Sequence, residues 1–132
     1  MTTPPDPAAN RPLQGRRILL VEDDIMISVL LADALAEFGC EIVGPATRLA
    51  KAVELAAAEA IDAAILDLDV AGKQVYPAAE KLAARGIPFA FVTGHRADAL
   101  VEIYRERPRL QKPFAVEDLV RALELMLGQS PR

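Results

Sequence analysis

Short apolar runs alternate along this chain with longer stretches that have helical periodicity. Runs rich in leucine and β-branched residues predict strands over 17–21, 41–44, 63–66 and 88–92, and a fifth short strand is expected just before Lys112. The runs are apolar rather than regularly alternating with polar residues, which is typical of strands that are covered on both faces. This order of elements predicts an α/β domain whose parallel sheet is wrapped by helices.

Apolar side chains at helical spacing predict the helices. The first helix is expected to bury one stripe and to end at Gly39, the second to be capped by Thr47, and the third to cover 74–85. The signal over 97–107 is weak, so a short or mobile helix is expected there. The predicted buried stripes are Ile27, Leu31, Ala34 and Phe38 in the first helix and Val116, Leu119, Val120, Leu123 and Leu127 in the last.

Two apolar residues on the other side of the first helix, Met26 and Val29, have two interpretations. They are ordinary surface residues, which is the commoner case, or they form a docking face for a helix of another protein. The pattern leaves both interpretations open.

The length of 132 residues fits a single domain. Residues 1–15 are rich in proline and polar residues and are expected to form a flexible leader, followed by the domain over 16–128 and a tail over 129–132. Nineteen acidic residues against fifteen basic ones give a net charge of −4. Because a nucleic-acid-binding domain needs a basic face, this balance argues against a nucleic-acid partner.

Cysteine and histidine usage limits the chemistry further. The single cysteine, Cys40, and the single histidine, His95, exclude an internal disulfide and a Cys/His zinc cluster, and Cys40 is expected to be a small buried hydrophobe. The chain shows neither an export signal nor an apolar run long enough to span a membrane. A protein of the reducing cytoplasm is therefore expected, with no membrane partner.

Polar residues follow the predicted strands. Since ligands of open parallel sheets bind outside the carboxyl ends of the strands, these residues are expected to converge on one edge. Carboxylates about 4 to 5 Å apart repel each other by about 3 to 4 kcal/mol per pair at an effective dielectric constant of about 20, so the cluster needs a cation. Mg²⁺ fits better than Ca²⁺, because Mg²⁺ takes one or two carboxylates together with a phosphate oxygen. The residues are Glu22, Asp23 and Asp24 after the first strand, Asp67 and Asp69 after the third, Thr93 and Gly94 after the fourth, and Lys112 after the last.

Each of these residues has a simpler interpretation when it is taken alone. Asp24 is placed to cap the first helix, and a lysine such as Lys112 is usually solvated. It is the coincidence of acids, a hydroxyl and an ammonium at four strand ends that favours a site prepared for Mg²⁺ and a phosphoryl group.

Four motifs in this order resemble the receiver domain of bacterial two-component response regulators. The resemblance covers residues 16–127, and the stretch 88–94 is similar to the stand-alone FATGUY group, with Val92 where that group usually has alanine. It implies a doubly wound, five-stranded, flavodoxin-like parallel sheet of strand order 2-1-3-4-5, flanked by helices. The motifs are RILLVEDD at 17–24, AILDLDVAG at 64–72, FVTG at 91–94 and KPF at 112–114.

The resemblance implies roles for the acidic residues. Asp67 would be the phosphoacceptor, taking a phosphoryl group from a histidine of a histidine kinase or a histidine phosphotransferase. Asp23 would bind Mg²⁺ directly and Glu22 would bind it through water. The backbone carbonyl of Asp69 would be a further Mg²⁺ ligand.

The remaining motif residues would act on the phosphoryl group. Thr93 and the amide of Gly94 would bind its oxygens, and Lys112 would neutralise charge as it is transferred. The peptide bond before Pro113 is expected to be cis, as it is in the family.

Departures from the family pattern concern how phosphorylation is read out. Arg109 stands where many receivers carry an aromatic residue that turns inward on activation. His95 and Asp69 stand where side chains in the family influence the lifetime of the phosphoryl group. Ala71 replaces a proline that is common in the loop after Asp67. Without the aromatic switch, phosphorylation is expected to order the segment 94–109.

Two other functions remain open. The stretch 67–70 resembles the Asp-x-Asp signature of haloacid dehalogenase-like phosphatases, although here an acidic pair precedes the signature. A pseudo-receiver that works purely as a binding module is the second. The favoured function is a single-domain response regulator that is a phosphoacceptor rather than an enzyme. It would signal through a protein target or act as a phosphate shuttle or sink, as a monomer or weak dimer.

Overall fold

A central parallel sheet organises the domain in the computed structural model, which describes residues 13–94 and 102–128. The sheet has five strands in the order β2-β1-β3-β6-β7, and β4 and β5 form a separate two-stranded antiparallel ribbon. Counting only the strands of the large sheet, this is the predicted order 2-1-3-4-5. The strands are β1 Arg17–Val21, β2 Glu41–Ala46, β3 Ala63–Asp67, β4 Asp69–Val70, β5 Lys73–Gln74, β6 Phe89–Thr93 and β7 Arg109–Gln111.

Helices cover both faces of the sheet, as the apolar strands predicted. Every residue of β3 and β6 is buried. One face packs against α2 and α3, and the opposite face packs against α1 and α4. No described helix has the length and apolar character needed to cross a membrane. The helices are α1 Ile25–Glu37, α2 Leu49–Ala58, α3 Tyr76–Ala84 and α4 Val116–Gly128, and Glu102–Tyr104 forms one turn of 3₁₀ helix.

The buried face of α1 differs in part from the predicted stripe. Leu31 is buried as expected, but Leu35 is fully buried where Phe38 was predicted, and Phe38 is 36% exposed. The helix is apolar around most of its circumference, so periodicity alone does not define which side faces the sheet. In α4 the predicted stripe is confirmed, with Leu119, Val120, Leu123 and Leu127 buried.

Several boundaries are corrected by the structure. β2 continues to Ala46 instead of ending at Gly44. Arg48 occupies the N-cap of α2 and no side chain caps that helix, so the prediction of Thr47 as the cap is wrong. The predicted helix over 97–107 contains only the short 3₁₀ turn among its described residues, and residues 95–101 lie outside the described part of the chain.

The domain begins earlier than predicted. Leu13, assigned by its proline-rich context to a flexible leader, is 1% exposed and packs in the cluster beneath α1 and α4. Backbone bonds hold it there, because Gly15 N–H donates to Gly39 O at 2.8 Å and Arg16 N–H donates to Leu13 O at 3.0 Å. Residues 1–12 and 129–132, which complete the predicted leader and tail, lie outside the described residues.

Cys40 is buried in the same cluster, which confirms its predicted role as a small hydrophobe. Burial raises the pKa of its thiol to about 11, so the thiolate is disfavoured at neutral pH.

Leu13→Ala should lower the free energy of unfolding by about 2 to 5 kcal/mol, because it leaves a cavity in the core. Leu125→Ala is the matched control, since Leu125 is 56% exposed on α4 and its truncation should change stability by no more than about 0.5 kcal/mol. Urea unfolding of both variants measures the difference. Equal effects would show that residue 13 is not part of the folded domain.

Candidate functional site

Three carboxylates meet at the carboxyl edge of the sheet. β1 and β3 are adjacent and Val21 is paired with Leu66, so Glu22 and Asp23 emerge from the sheet beside Asp67, the last residue of β3. Ligand oxygens of the three side chains all lie within 4.8 Å of one another. The predicted convergence of the carboxylates is confirmed. At this separation each ionised pair would repel by about 3 to 4 kcal/mol at an effective dielectric constant of about 20.

Lys112 partly neutralises this cluster. Its Nζ lies 3.1 Å from Asp67 Oδ2 and 3.1 Å from Glu22 Oε1. Its backbone N–H donates to Thr93 O at 2.8 Å, so the lysine is held at the end of β7 next to the end of β6. Partial burial lowers the pKa of Lys112, but hydrogen bonds and charge from Asp67 and Glu22 outweigh that effect and raise it above its usual value.

Glu22 is the most buried of the acids, at 2% exposed. Its Oε2 accepts the Asp24 N–H at 3.0 Å, and its own N–H donates to Ala46 O at 3.0 Å. Burial, with a smaller contribution from the charge of Asp67, raises the pKa of Glu22 to about 7, although the Asp24 and Lys112 hydrogen bonds oppose the shift. Glu22 therefore changes protonation state near neutral pH in the metal-free protein.

A bulge in β2 brings Ala46 within reach of Glu22. The register between β1 and β2 shifts after Leu19, and Gly44 adopts φ +96°. A Cβ at Gly44 would lie 2.7 Å from Ala46 N, so glycine alone fits this bend. Sequence reasoning ended β2 at this glycine and missed the bulge.

Asp24, the third consecutive acid, caps α1 instead of joining the cluster. Its Oδ1 accepts the Ile27 N–H at 3.1 Å, as predicted. This bond fixes the start of α1 directly after Glu22 and Asp23.

The segment after Asp67 folds back over the site. Asp67 is 6% exposed, and its Oδ1 accepts the Asp69 N–H at 3.3 Å. β4 and β5 then pair as a hairpin whose tip residue, Ala71, donates its N–H to Asp23 Oδ2 at 2.8 Å. Each member of the carboxylate trio therefore accepts one backbone N–H.

The end of β6 contributes the residues expected to bind phosphoryl oxygens. Asp67 is paired with Val92, so Thr93, which is 3% exposed, lies one residue further along the edge. Gly94 follows and is exposed. His95 lies outside the described residues.

The switch position is polar, as the sequence indicated, and aromatic side chains cluster elsewhere. Arg109 is exposed on β7, paired with Phe91. Tyr104, from the segment with only a weak helical signal, is 6% exposed. Its ring lies 5.7 Å from the Tyr76 ring and 5.6 Å from the rings of Phe89 and Phe91. The Lys112–Pro113 peptide bond is cis.

The donor set suits a small hard cation. Only oxygen ligands are offered by the trio Glu22, Asp23 and Asp67, and Asp23 is the member most open to solvent. Mg²⁺ prefers this combination, because it binds a few carboxylate oxygens and keeps several waters. The residues therefore fit the metal that the sequence predicted.

An α/β domain with three carboxylates and a lysine at the carboxyl edge of its parallel sheet defines a known class of protein. Residues 18–124 match the family described as response regulator receiver domain. This chain belongs to that family, which confirms the resemblance seen in the sequence.

Relatives include proteins of known structure. The chain is 36% identical over 118 residues to the transcriptional regulatory protein PdtaR of Mycobacterium tuberculosis, a match that covers 86% of this chain and 58% of PdtaR. It is 40% identical to SdrG from Sphingomonas melonis Fr1, whose solution structure has a TM-score of 0.74 and is covered over 98% of its length by 88% of this chain. A third relative is the receiver domain of the sensor histidine kinase PA1611 from Pseudomonas aeruginosa PAO1, which was crystallised with magnesium coordinated in its active site cleft. It is 26% identical to this chain with a TM-score of 0.70, and the match covers 87% of this chain and 99% of that one.

In Mg²⁺-free buffer, stability should fall as the pH rises from 4.5 to about 7. The folded state binds the Glu22 proton more tightly than the unfolded state does, so this stabilisation is complete below pH 4.5 and is lost as the pH passes about 7. The loss attributable to Glu22 should be about 3 kcal/mol. Urea unfolding across this range measures it, with Glu22→Gln as the control that removes the titrating proton. The same pH dependence in both proteins would contradict the assignment.

Proposed function

We propose that this protein accepts a phosphoryl group on Asp67 from a phosphorylated histidine of a histidine kinase or histidine phosphotransferase. The observation that carries this proposal is the contact of one lysine, Lys112, with both Asp67 and Glu22 at the edge where the third carboxylate, Asp23, also lies. Asp67, the proposed nucleophile, thus lies beside the ammonium of Lys112 and forms a candidate metal site together with Glu22 and Asp23.

The transfer is written as a displacement at phosphorus. A carboxylate oxygen of Asp67 attacks the phosphorus, and the new P–O bond forms as the P–N bond to the donor imidazole breaks. The electron pair of the P–N bond stays on the ring nitrogen, and the imidazole leaves as neutral histidine, its one ring proton either present before transfer or taken from solvent. Thr93 and the amide of Gly94 bind the phosphoryl oxygens in this proposal. Lys112 stabilises the negative charge that these oxygens carry.

Mg²⁺ is the cofactor in this proposal, held by Asp23 and Asp67, by Glu22 through water, and by the backbone carbonyl of Asp69. It supplies positive charge that offsets the repulsion between carboxylates and phosphoryl oxygens. The fit of the oxygen donors supports this assignment, as does the magnesium in the active site cleft of the PA1611 receiver domain.

The two alternative functions, a phosphatase and a pseudo-receiver, can be compared with the observed site. A haloacid dehalogenase-like phosphatase is disfavoured by membership of the receiver family. A pseudo-receiver would keep the fold without phosphotransfer, yet Lys112 contacts both Asp67 and Glu22, and ligand oxygens of Asp23 and these two acids lie within 4.8 Å of one another. Phosphotransfer therefore remains the better proposal.

An apolar surface beside the site suits docking of the phosphodonor. Ile25, Met26, Val29 and Leu30 of α1 are exposed by 69%, 72%, 51% and 62%. Leu30 also borders a groove of about 640 Å³, and Lys112 and Gly94 border the same groove, so it is continuous with the site. The other lining residues are Ile27, Leu31, Pro113, Phe114 and Val116.

We propose that the helix carrying the donor histidine covers this surface. The donor histidine has to approach Asp67 at the sheet edge, and α1 begins at that edge just after Glu22 and Asp23, so a helix that carries the histidine can pack against α1. Of the two interpretations of the outer side of α1, this favours the docking face. Four expectations remain predictions: a protein target, a role as phosphate shuttle or sink, a monomeric or weakly dimeric state, and a cytoplasmic location.

Incubation with acetyl phosphate and Mg²⁺ should add the mass of one phosphoryl group to the wild-type protein and nothing to Asp67→Asn. Asp33→Asn is the matched control, because Asp33 is an exposed acid on α1 that is not a member of the carboxylate trio. Intact mass spectrometry gives the stoichiometry. Labelling of Asp67→Asn would show that another residue accepts the phosphoryl group. No labelling of the wild type would support a pseudo-receiver, and turnover of a generic phosphate ester would support a phosphatase.

Leu30→Glu should slow phosphotransfer from a phosphorylated histidine phosphotransferase roughly tenfold, because it places a charge in an apolar interface. Labelling by acetyl phosphate should not change, since that small donor needs no docking surface. Leu125→Glu, at a leucine that is 56% exposed on α4, should leave both rates unchanged. If Leu30→Glu slowed both donors equally, the surface would not be a docking site.

A further inference from the structure

The hairpin between β3 and α3 has an uncommon tip. β4 and β5 are joined by Ala71 and Gly72, with φ of +51° and +83°. A two-residue connection with both φ values positive is a type I′ turn, which favours asparagine, aspartate or glycine at its first position. Ala71 therefore adopts a left-handed conformation that an alanine rarely takes.

The base of this hairpin is fixed to the domain. Val70 and Val75 are fully buried. Val75 N–H donates to Leu68 O at 2.9 Å, and Leu68 N–H donates to Val92 O at 2.8 Å. The position of the tip is consequently determined by the sheet and the core and not by the turn alone.

The tip makes one directed contact with the site. Ala71 N–H donates to Asp23 Oδ2 at 2.8 Å, across 48 residues of sequence. A hydrogen bond from a backbone amide to a carboxylate is charge-assisted and stronger than a neutral one. Because a carboxylate has several acceptor positions, Asp23 can accept this N–H and still offer an oxygen to a cation.

We propose that the hairpin tip is a positioning element, whose Ala71 N–H holds the Asp23 carboxylate toward Glu22 and Asp67 before Mg²⁺ binds. Asp23 is the trio member most open to solvent, so its side chain has the most rotational freedom to lose. Fixing it in advance removes that cost from metal binding. The inference rests on the proposed function only in taking Mg²⁺ as the ligand.

Substitutions at Gly72 test the proposal, because a Cβ there meets nothing within 4 Å and acts only through the backbone. Gly72→Val forces a β-branched residue into the left-handed region and should displace the tip, whereas Gly72→Asn should preserve it. Gly86→Val is the matched control, since Gly86 has φ +72°, has no atom within 4 Å of a Cβ, and lies at the end of α3 before β6 enters the sheet.

Calorimetric titration with MgCl₂ should show roughly tenfold weaker binding by Gly72→Val, as expected when a partner that orients a metal ligand is lost. Gly72→Asn and Gly86→Val should bind Mg²⁺ as the wild type does, although Gly86→Val should lower the thermal midpoint about as much as Gly72→Val. In the metal-free proteins, the amide of residue 71 should be protected from hydrogen exchange in the wild type and in Gly72→Asn, and unprotected in Gly72→Val.

Unchanged Mg²⁺ affinity in Gly72→Val, with its residue 71 amide unprotected, would overturn the positioning role. Equal weakening by Gly72→Val and Gly86→Val would overturn it too, because it would assign the effect to stability. Absence of Mg²⁺ binding by the wild-type protein would instead overturn the proposed function, and this inference with it.

Discussion

Repulsion between carboxylates at one edge of the sheet is the constraint around which this site is built. Glu22 and Asp67 are 2% and 6% exposed, so water screens them poorly. Lys112 contacts both, but one ammonium cannot balance three carboxylates. The pKa of Glu22 is raised mainly by burial and to a smaller degree by the charge of Asp67, so this buried carboxyl holds its proton more tightly than an exposed one. A proton on Glu22 and a bound divalent cation would each reduce the excess negative charge of the carboxylate trio.

The fold concentrates these carboxylates at the sheet edge because the interior of the sheet is buried and apolar. Helices bury both faces, and the central strands β3 and β6 are apolar on both sides until they reach the carboxyl edge. There Asp67 and Thr93 end the two strands. The neighbouring strands are then adjusted to the edge: the bulge at Gly44 supplies Ala46 O to the Glu22 N–H, and β7 ends where Lys112 can reach two acids.

The sequence was sufficient for the Asp24 cap and the carboxylate trio, because both depend on strand ends that local apolar runs define. It predicted the sheet order only through the resemblance to receiver domains. It was insufficient where tertiary contacts override local composition. Leu13 is buried although its proline-rich surroundings resemble a flexible leader. The hairpin strands β4 and β5 have two residues each, too few for periodicity, and the turn at Ala71 lacks the asparagine that signals such turns.

The packing of Tyr104 on Tyr76, Phe89 and Phe91 bears on how a change at the phosphorylation site could reach the protein surface. Phe91 and Thr93 alternate along β6, so they face the same side of the sheet, and Tyr104 packs on Phe91 from that side. Residues 102–109 are folded in this structure, with Tyr104 packed on the sheet, whereas residues 95–101 lie outside the described residues. Ordering of the segment 94–109 on phosphorylation stays a prediction. Moving residues 102–109 would separate Tyr104 from three aromatic rings and expose apolar surface. A change that begins at Thr93 is thus more easily transmitted by shifting this packed unit as a whole than by folding it from a disordered state.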